Sequence, residues 1–316
     1  MNLRMRSYRG EQDRQAMVEL VCAFPEHTIH VIDLPYRLYS RALEDVGNVG
    51  LWEDDEGRLQ AFVVRQPAFL VLDTAYTSAA KEDGIETLVL EWAIQHFSQL
   101  ARERGHSFYD YIEVRENQVD KIAFLRQHGF MLASWHVVHM QRSLAGAIPE
   151  PQLLPGFTIR PLAGEKEVKA YVDLHQTVFD STNMTAAWCR RLLQSPQYNP
   201  ELNLVVVAPD GSLAAFCTCW LNQTQGARRG KEAQIEPLGT HPHFRQLGLA
   251  RAIQMECFRR LKALGVDTIY VETHSFSRPA LELYKAVGFR IVHKILNYQK
   301  MPDRVLKYGK KLYADE

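Results

Sequence analysis

The sequence lacks a bias of charge, because 37 Lys and Arg residues balance 37 Asp and Glu residues. No overall field therefore favours nucleic acid or an anionic membrane. It also lacks an apolar run near the roughly 20 residues that span a bilayer, and its polar N-terminus has no apolar signal core. The five cysteines are scattered and odd in number, which argues against a disulfide scaffold. We expect a cytoplasmic globular protein without nucleic-acid or membrane partners.

What the sequence does contain is an internal repeat. Two pairs of segments match at an offset of 154 residues, and a third pair near the ends of the copies matches at 159. They are Arg6–Leu20 with Arg160–Leu174, Gly57–Phe62 with Gly211–Phe216, and Leu125–Phe130 with Tyr284–Phe289. A stretch rich in proline and small residues, Leu144–Gly156, joins the copies. We predict two domains of one kind, at residues 1–145 and 156–316.

Strand and helix patterns alternate within each copy, which predicts a mixed α/β fold. In the second copy, Ala252, Met255, Phe258 and Leu261 recur at helical spacing and mark one buried face of a long helix. A further helix is predicted in the segment MTAAWCRRLL, capped by Asn183 or Thr185.

The stretch AQIEPLGTHPHFRQLGLARAIQ places a glycine loop at the start of that long helix. Helix N-termini carry unpaired N–H groups and the positive end of the helix dipole. Gly248 lets the backbone approach a ligand closely, and Arg245 adds a positive charge. The loop therefore suits a phosphate or pyrophosphate. Pro237 interrupts the preceding strand and indicates a bulge or an edge.

These residues resemble the signature of the GNAT superfamily of acyl-CoA-dependent N-acyltransferases. Its pyrophosphate motif, R-x-x-G-x-G/A, is matched by Arg245, Gly248 and Ala250. A downstream family motif is matched by Ala280, Leu283, Tyr284, Gly288 and Phe289. Ser277 stands where the family usually has Asn, which puts one contact near the pantetheine arm in doubt. The paired copies resemble the tandem GNAT enzymes.

The resemblance implies two tandem GNAT-like domains, each a mixed, mostly antiparallel sheet with helices on both faces and a splayed central strand pair. It implies acetyl transfer from acetyl-CoA to a primary amine of a small molecule, by direct attack on the thioester and without a metal. The predicted acetyl-CoA site comprises Leu238, Gly239, Thr240, Arg245, Gln246, Leu247, Gly248, Leu249, Ala250, Arg251 and Ser277. Pro237 then marks where the central strands part to admit the pantetheine arm.

Two residues are predicted to move protons. Tyr284 matches the tyrosine that in this family commonly protonates the CoA sulfur. Glu236 is the best base candidate, because it lies on the strand before the loop and would point toward the cleft; it accepts the proton directly or orders a water that does. His241 and His243 are interpreted as polar loop residues, and His274 is a weaker candidate.

The first copy serves as an internal control. At an offset of 164, Lys81 and Gly84 fall on Arg245 and Gly248, but the acidic residues Glu82, Asp83 and Glu86 crowd the helix start. Leu72 and Leu125 stand where Glu236 and Tyr284 stand in the second copy. We predict that the first domain is degenerate and without catalysis.

Several alternatives stay open. One alternative function is that of a non-catalytic acyl-CoA-binding or sensor protein. Another is acetyl transfer to an amine of a protein. Trp188, Tyr198, Trp220 and Asp180 are candidates for an aromatic, partly acidic acceptor pocket, although core packing explains the aromatics equally well. Cys217 and Cys219 are interpreted as buried strand residues, with no zinc spacing around them. The sequence leaves open whether the chain is a monomer or a homodimer.

Overall fold

The computed structural model describes residues 2–105, 110–224, 226 and 229–300. Along the first half, the elements follow the order β1 (Arg4–Arg6), α1 (Glu11–Ala23), α2 (Leu34–Leu38), β2 (Val49–Glu53), β3 (Leu59–Gln66), β4 (Val71–Tyr76), α3 (Ser78–Glu82), α4 (Ile85–Glu103), β5 (Tyr111–Arg115), α5 (Val119–Gln127) and β6 (Met131–Ser143). Within the described residues, no helix is both long enough and apolar enough to cross a bilayer.

The second half follows a similar order. Its elements are β7 (Thr158–Pro161), α6 (Val168–Phe179), α7 (Ala186–Gln194), β8 (Asn203–Val207), β9 (Leu213–Leu221), β10 (Glu232–Thr240), α8 (Leu249–Ala263), β11 (Thr268–His274), α9 (Arg278–Ala286) and β12 (Arg290–Gln299). Residues 301–316 of the predicted second domain lie outside the described part of the chain. The helix expected in MTAAWCRRLL is α7, and the Thr185 side chain caps it by accepting from the Trp188 N–H.

The chain divides into two compact units that exchange segments of sequence. The described part of the first unit contains residues 2–29, 42–105, 110–137 and 293–300, and that of the second contains residues 30–41, 138–224, 226 and 229–292. The second unit thus takes α2 from the first half of the chain, whereas most of β12 belongs to the first unit. The sequence repeat gives no sign of this exchange, because it records the order of the elements and not their packing. The division into a catalytic and a non-catalytic domain stays a prediction.

The sheet of the second unit has the strand order β6-β11-β10-β9-β8-β7. β10 runs antiparallel to β9 and parallel to β11. The parallel ladder ends at Ile235 and Val271, although both strands continue. The ladder with β9 is irregular between Ile235 and Leu238, where Pro237 has no N–H to donate. The splayed strand pair expected from the sequence is therefore present at Pro237.

Helices cover both faces of this sheet. Phe216 on β9 packs its ring against Tyr171 and His175 of α6, with ring centroids 5.4 and 5.5 Å apart. The next side chain along β9, Cys217, faces Cys257 of α8 on the other side. Alternate side chains of a strand point to opposite faces. The α8 face predicted from periodicity is buried in the same core, at Ala252, Met255, Phe258 and Leu261. The mixed α/β fold is confirmed.

The sheet of the first unit has the strand order β1-β2-β3-β4-β5-β12. Its one parallel pair, β4 with β5, meets only at Val71 and Tyr111. The internal repeat also appears in contacts: Arg6 forms two hydrogen bonds with Asp13, and Arg160 forms two with Glu167. Both pairs obey the offset of 154. The repeat therefore preserves a specific ion pair at the start of each copy.

Gly239 lies where β10 is most tightly packed. A Cβ atom there would lie 2.5 Å from Val178 Cγ1 and 2.6 Å from Phe216 Cζ. We expect Gly239→Ala to lower the free energy of unfolding by about 1–3 kcal/mol, because core groups must shift to admit the methyl. Gly146→Ala is the matched control, since a Cβ there meets no atom within 4 Å. Urea unfolding of both variants measures the difference; equal stabilities would contradict the packing.

Candidate active site

The predicted phosphate loop leads from β10 into α8 through a short helical turn at Pro242–Phe244. Gly248 precedes α8 with a φ of 77°, a left-handed conformation that glycine adopts without penalty. Gln246 is also left-handed, with a φ of 64°. No side chain among the described residues caps the start of α8. The first N–H groups of the helix are therefore available to an anion.

Side chains around this loop are open to solvent. Arg245, Gln246 and Leu247 are exposed, as is Arg251 in the first turn of α8. Arg245 Nε lies 3.4 Å from the Thr240 carbonyl oxygen, which holds the side chain back along the loop. The loop thus combines an exposed guanidinium with an uncapped helix start, the two features that a pyrophosphate group requires.

The other predicted ligand and proton residues flank the loop. Ser277 precedes α9 and donates its N–H to the His274 carbonyl, while its side chain caps nothing in that helix. His241 accepts from the His243 N–H, so these two histidines shape the turn. Partial burial and the neighbouring His243 and Arg245 lower the pKa of His241. Their roles as polar loop residues stay a prediction.

Glu236 lies on β10, next to the point where the strands part, and its peptide bond to Pro237 is cis. The side chain is half-buried. Burial, together with the carboxylates of Asp33 and Glu272, raises the pKa of Glu236 to about 8 against the opposing charges of Arg37 and His30. A carboxyl with such a pKa is matched to proton transfer near neutral pH.

Tyr284 is buried on α9, with its ring edge-on to Phe289. Burial raises the pKa of Tyr284 well above its usual range, and the charge of Glu236 adds to the effect. The phenol therefore stays protonated and is able to donate. The influence of Glu236 on the pKa of Tyr284 indicates that strand β10 and helix α9 bring the two side chains near each other. Their catalytic roles stay a prediction.

Sequence reasoning missed one part of the site, the segment His30–Arg41. The charges of Asp33, Arg37 and His30 in this segment act on the pKa of Glu236, although these residues come from the first half of the chain. A signal was present, because this short stretch of sequence alternates His, Asp and Arg with apolar and aromatic residues. A sequence pattern cannot show that the segment packs into the other unit.

The proposed acceptor pocket is only partly assembled. Trp220 and Tyr198 line one small cavity together with Tyr36 and Pro237. Trp188 is buried against the Tyr36 ring, with centroids 5.1 Å apart. The remaining candidate, Asp180, lies in a separate open depression at the end of α6 with other polar residues, Gln176, Thr177, Ser181 and Thr182.

The first copy has the same framework without the same groups. At the offsets found in the sequence, α5 coincides with α9 along its whole length, and α4 begins where α8 begins. Gly84 before α4 has a φ of 80°, matching Gly248. Yet Glu86 occupies the first turn of α4 and is hydrogen-bonded to Tyr76. Leu72 and Leu125 are buried in the apolar core. These placements support the prediction that the first copy is inactive.

Three cysteines meet in the core of the second unit. Cys217 and Cys219 are buried in β9, as the sequence predicts, and their sulfur atoms lie within 4.8 Å of each other and of Cys257 Sγ. Sequence spacing does not show this group, because Cys257 lies on α8. Among the described residues no fourth ligand joins it, whereas structural zinc takes four. Packing of small apolar side chains accounts for the group.

Comparison with known proteins places this geometry in a family. Residues 169–289 match the model of the acetyltransferase (GNAT) family. The mycothiol acetyltransferase of Kineococcus radiotolerans is 27% identical over 219 residues, covering 64% of this chain and 69% of the relative. The mycothiol acetyltransferase of Thermobispora bispora is 23% identical over 154 residues, covering 48% of this chain and 52% of the relative.

Solved structures agree on the fold. The chain is similar to a tandem GNAT protein from the clavulanic acid biosynthesis pathway, with a TM-score of 0.63 and 12% identity, over 96% of this chain and all of the other. This likeness spans both copies of the repeat. The matched residues 169–289 contain Glu236, the loop before α8 and Tyr284. Residues 169–289 therefore form an acetyltransferase domain of the GNAT family, and the whole chain shares the fold of a tandem GNAT protein.

Proposed function

We propose that the second half of the chain transfers an acetyl group from acetyl-CoA to the primary amine of a small molecule. The observation that carries this proposal is the convergence of Glu236 and Tyr284 beside the splayed end of β10, next to an uncapped helix start. The similar mycothiol acetyltransferases support a small-molecule acceptor. No cysteine in the described part of the chain forms a disulfide, which agrees with a reducing cytoplasm.

Acetyl-CoA binding is assigned to backbone groups on two elements. The N–H groups from Arg245 to Ala250 would hold the pyrophosphate, with the guanidinium beside them. Leu238, Gly239 and Thr240 pair with β9 on one side, while the ladder to β11 has already ended. Their remaining backbone groups would pair with the pantetheine amides. One N–H of this strand would polarise the thioester carbonyl.

The transfer needs two proton movements. A primary ammonium has a pKa of about 10 and no lone pair, so a proton must leave before nitrogen attacks. Glu236 accepts that proton, directly or through a water. The amine nitrogen then bonds to the carbonyl carbon as the carbon–sulfur bond breaks, and the Tyr284 hydroxyl protonates the departing sulfur. The products are an N-acetylated amine and free CoA.

A turnover assay over a panel of amines tests the proposal. Free CoA should appear in step with an N-acetylated product for at least one small amine. Tight acetyl-CoA binding without CoA release on any amine, together with no effect of Tyr284→Phe, would instead support a non-catalytic acyl-CoA-binding protein.

An acceptor on a protein is the second candidate. A [ribosomal protein bS18]-alanine N-acetyltransferase from Haemophilus ducreyi is 29% identical over 117 residues, covering 37% of this chain and 74% of that enzyme. Peptides with a free N-terminal amine therefore belong in the panel. Acetylation of such peptides with no small amine accepted would replace the small-molecule proposal.

Arg245 is expected to dominate acetyl-CoA affinity. A charge-assisted hydrogen bond contributes about 1.5–3 kcal/mol, so Arg245→Gln should raise the Kd about tenfold or more. Isothermal titration should also give one acetyl-CoA per chain, because Glu86 occupies the corresponding helix start in the first copy. Arg190→Gln, which removes an exposed guanidinium on α7, is the control. An unchanged Kd for Arg245→Gln, or two sites per chain, would contradict the assignment.

A further inference from the structure

The segment His30–Arg41 is fixed against the part of β10 that carries Glu236. Tyr36 packs its ring near Trp188 and Trp220, with centroids 5.1 and 6.4 Å away. Its hydroxyl lies 3.1 Å from His175 Nε2. Trp220 in turn donates its indole N–H to the backbone carbonyl of Glu236 at 2.7 Å. These contacts join α2 to the catalytic strand through a chain of buried rings.

Asp33, the residue before α2, carries a buried negative charge at this place. Its side chain is 3% exposed. Oδ2 accepts from Arg37 Nε at 3.1 Å and lies 3.1 Å from His30 Nδ1. Oδ1 is buried without a hydrogen-bond partner among the described residues. Burial opposes ionisation, but His30 and Arg37 hold the pKa of Asp33 well below its usual range. Asp33 is therefore a fixed carboxylate with one unsatisfied oxygen.

We propose that Asp33 is a positioning residue of the catalytic centre that acts through Glu236. Its carboxylate belongs to one charged cluster with His30, Arg37 and Glu272, and Glu236 and Glu272 directly follow the last paired residues of β10 and β11, Ile235 and Val271. A negative charge in this cluster opposes the ionisation of the Glu236 carboxyl, whereas the charge of Arg37 favours it. The proposal rests on the proposed function, because Glu236 matters there as the base. Asp33 itself need not touch the amine or the acetyl group. Segment His30–Arg41 thereby contributes to chemistry that the second half of the chain carries out.

Other charged groups complete the balance around Glu236. Glu272 on β11 acts in the same direction as Asp33, and His30 acts with Arg37. Glu272 Oε1 lies 2.8 Å from His139 Nδ1, and its Oε2 lies 4.0 Å from His30 Nδ1. Two carboxylates, those of Asp33 and Glu272, therefore act on Glu236 against the charges of Arg37 and His30. From α9, the buried Tyr284 contributes a neutral hydroxyl.

This balance suits an acceptor that arrives as an ammonium ion. A positive charge within about 4–6 Å of a carboxyl favours its ionised form. An incoming ammonium would therefore release the proton of Glu236 to solvent and leave a carboxylate beside the amine. That carboxylate then accepts a proton from the ammonium.

The sign of two substitutions tests the role of Asp33. In the full-length protein without acetyl-CoA or amine, the infrared band of the protonated Glu236 carboxyl is followed against pH, with Glu236→Gln as the reference for its assignment. Asp33→Asn should lower the midpoint by about one pH unit, and Arg37→Gln should raise it by about one. Shifts in the same direction, or no shift in either variant, would overturn the proposal.

Two further variants keep the test decisive. Asp13→Asn removes a buried carboxylate paired with Arg6 in the other unit, and should leave the Glu236 midpoint unchanged. If Asp33→Asn does not fold, Glu272→Gln should lower the midpoint in the same direction, and an unchanged midpoint there would contradict the charge balance. The titration requires no turnover. If no acetyl transfer is found, the proposed function fails, but the titration still tests the role of Asp33. If acetyl transfer is found and the midpoint of Glu236 shifts in the wrong direction, only the role of Asp33 is overturned.

Discussion

Replacing Glu236 by glutamine is expected to lower kcat/KM for the acceptor amine by about 10²–10⁴-fold, the range of positioned acid–base groups. The amide keeps the size of the side chain but cannot accept the proton that the ammonium must lose. Acetyl-CoA should bind to Glu236→Gln as it does to the wild type, because no predicted CoA contact involves this side chain. Isothermal titration with acetyl-CoA is the control for folding and cofactor binding.

The pH profile sharpens this prediction. Since the pKa of Glu236 is raised to about 8, the ionised base is scarce below that value and abundant above it. The kcat/KM of the wild type should therefore rise with pH to a plateau above about pH 8, after correction for the ionisation of the amine itself. The kcat/KM of Glu236→Gln should not show this rise with pH. A variant within about threefold of the wild type, with an unchanged profile, would show that a water chain or another residue takes the proton.

Tyr284→Phe is expected to lower kcat by about 10²-fold, at the lower end of the range for a general acid. The effect is smaller than for Glu236 because a thiol with a pKa of about 8.5 leaves more readily than an amine or alkoxide. The KM for acetyl-CoA should hardly change, since the hydroxyl acts on the departing sulfur. Steady-state kinetics with acetyl-CoA as the thioester measures the decrease in kcat.

A matched variant separates chemistry from packing. Tyr298 is as fully buried as Tyr284, and its hydroxyl has no hydrogen-bond partner among the described residues. Tyr298→Phe should therefore leave kcat unchanged, although it removes the same atom from a core tyrosine. Equal losses in the two variants would mean that Tyr284 supports the fold and does not donate a proton.

Local sequence patterns were sufficient for much of the framework. Gly248 predicted the glycine loop at the start of α8, and the helical spacing of Ala252, Met255 and Phe258 predicted the buried face of that helix. Pro237 predicted the irregular ladder, because proline has no N–H to donate. Each of these features depends on residues that are near one another in the sequence, so periodicity and backbone chemistry are enough.

Local sequence patterns did not predict which charged residues lie around the proposed base, Glu236. Asp33 lies in the first copy of the repeat and Glu236 in the second, and their proximity depends on α2 packing into the second unit. Cys257 likewise joins Cys217 only through the packing of α8 on β9. The candidate pocket residue Asp180 lines a separate depression, and its position in the sequence did not reveal where the end of α6 lies. Long-range packing decides which charges meet, and no spacing rule encodes it.

The most direct test of the account is a single turnover with acetyl-CoA labelled in the acetyl group and one accepted amine. The label should pass to the amine nitrogen with release of one CoA, and the intact mass of the protein should never increase by an acetyl group, because attack on the thioester is direct. Glu236→Gln and Tyr284→Phe should each slow this single transfer. Label that accumulates on the protein before the amine, or that never leaves acetyl-CoA with any amine or peptide, would contradict the account.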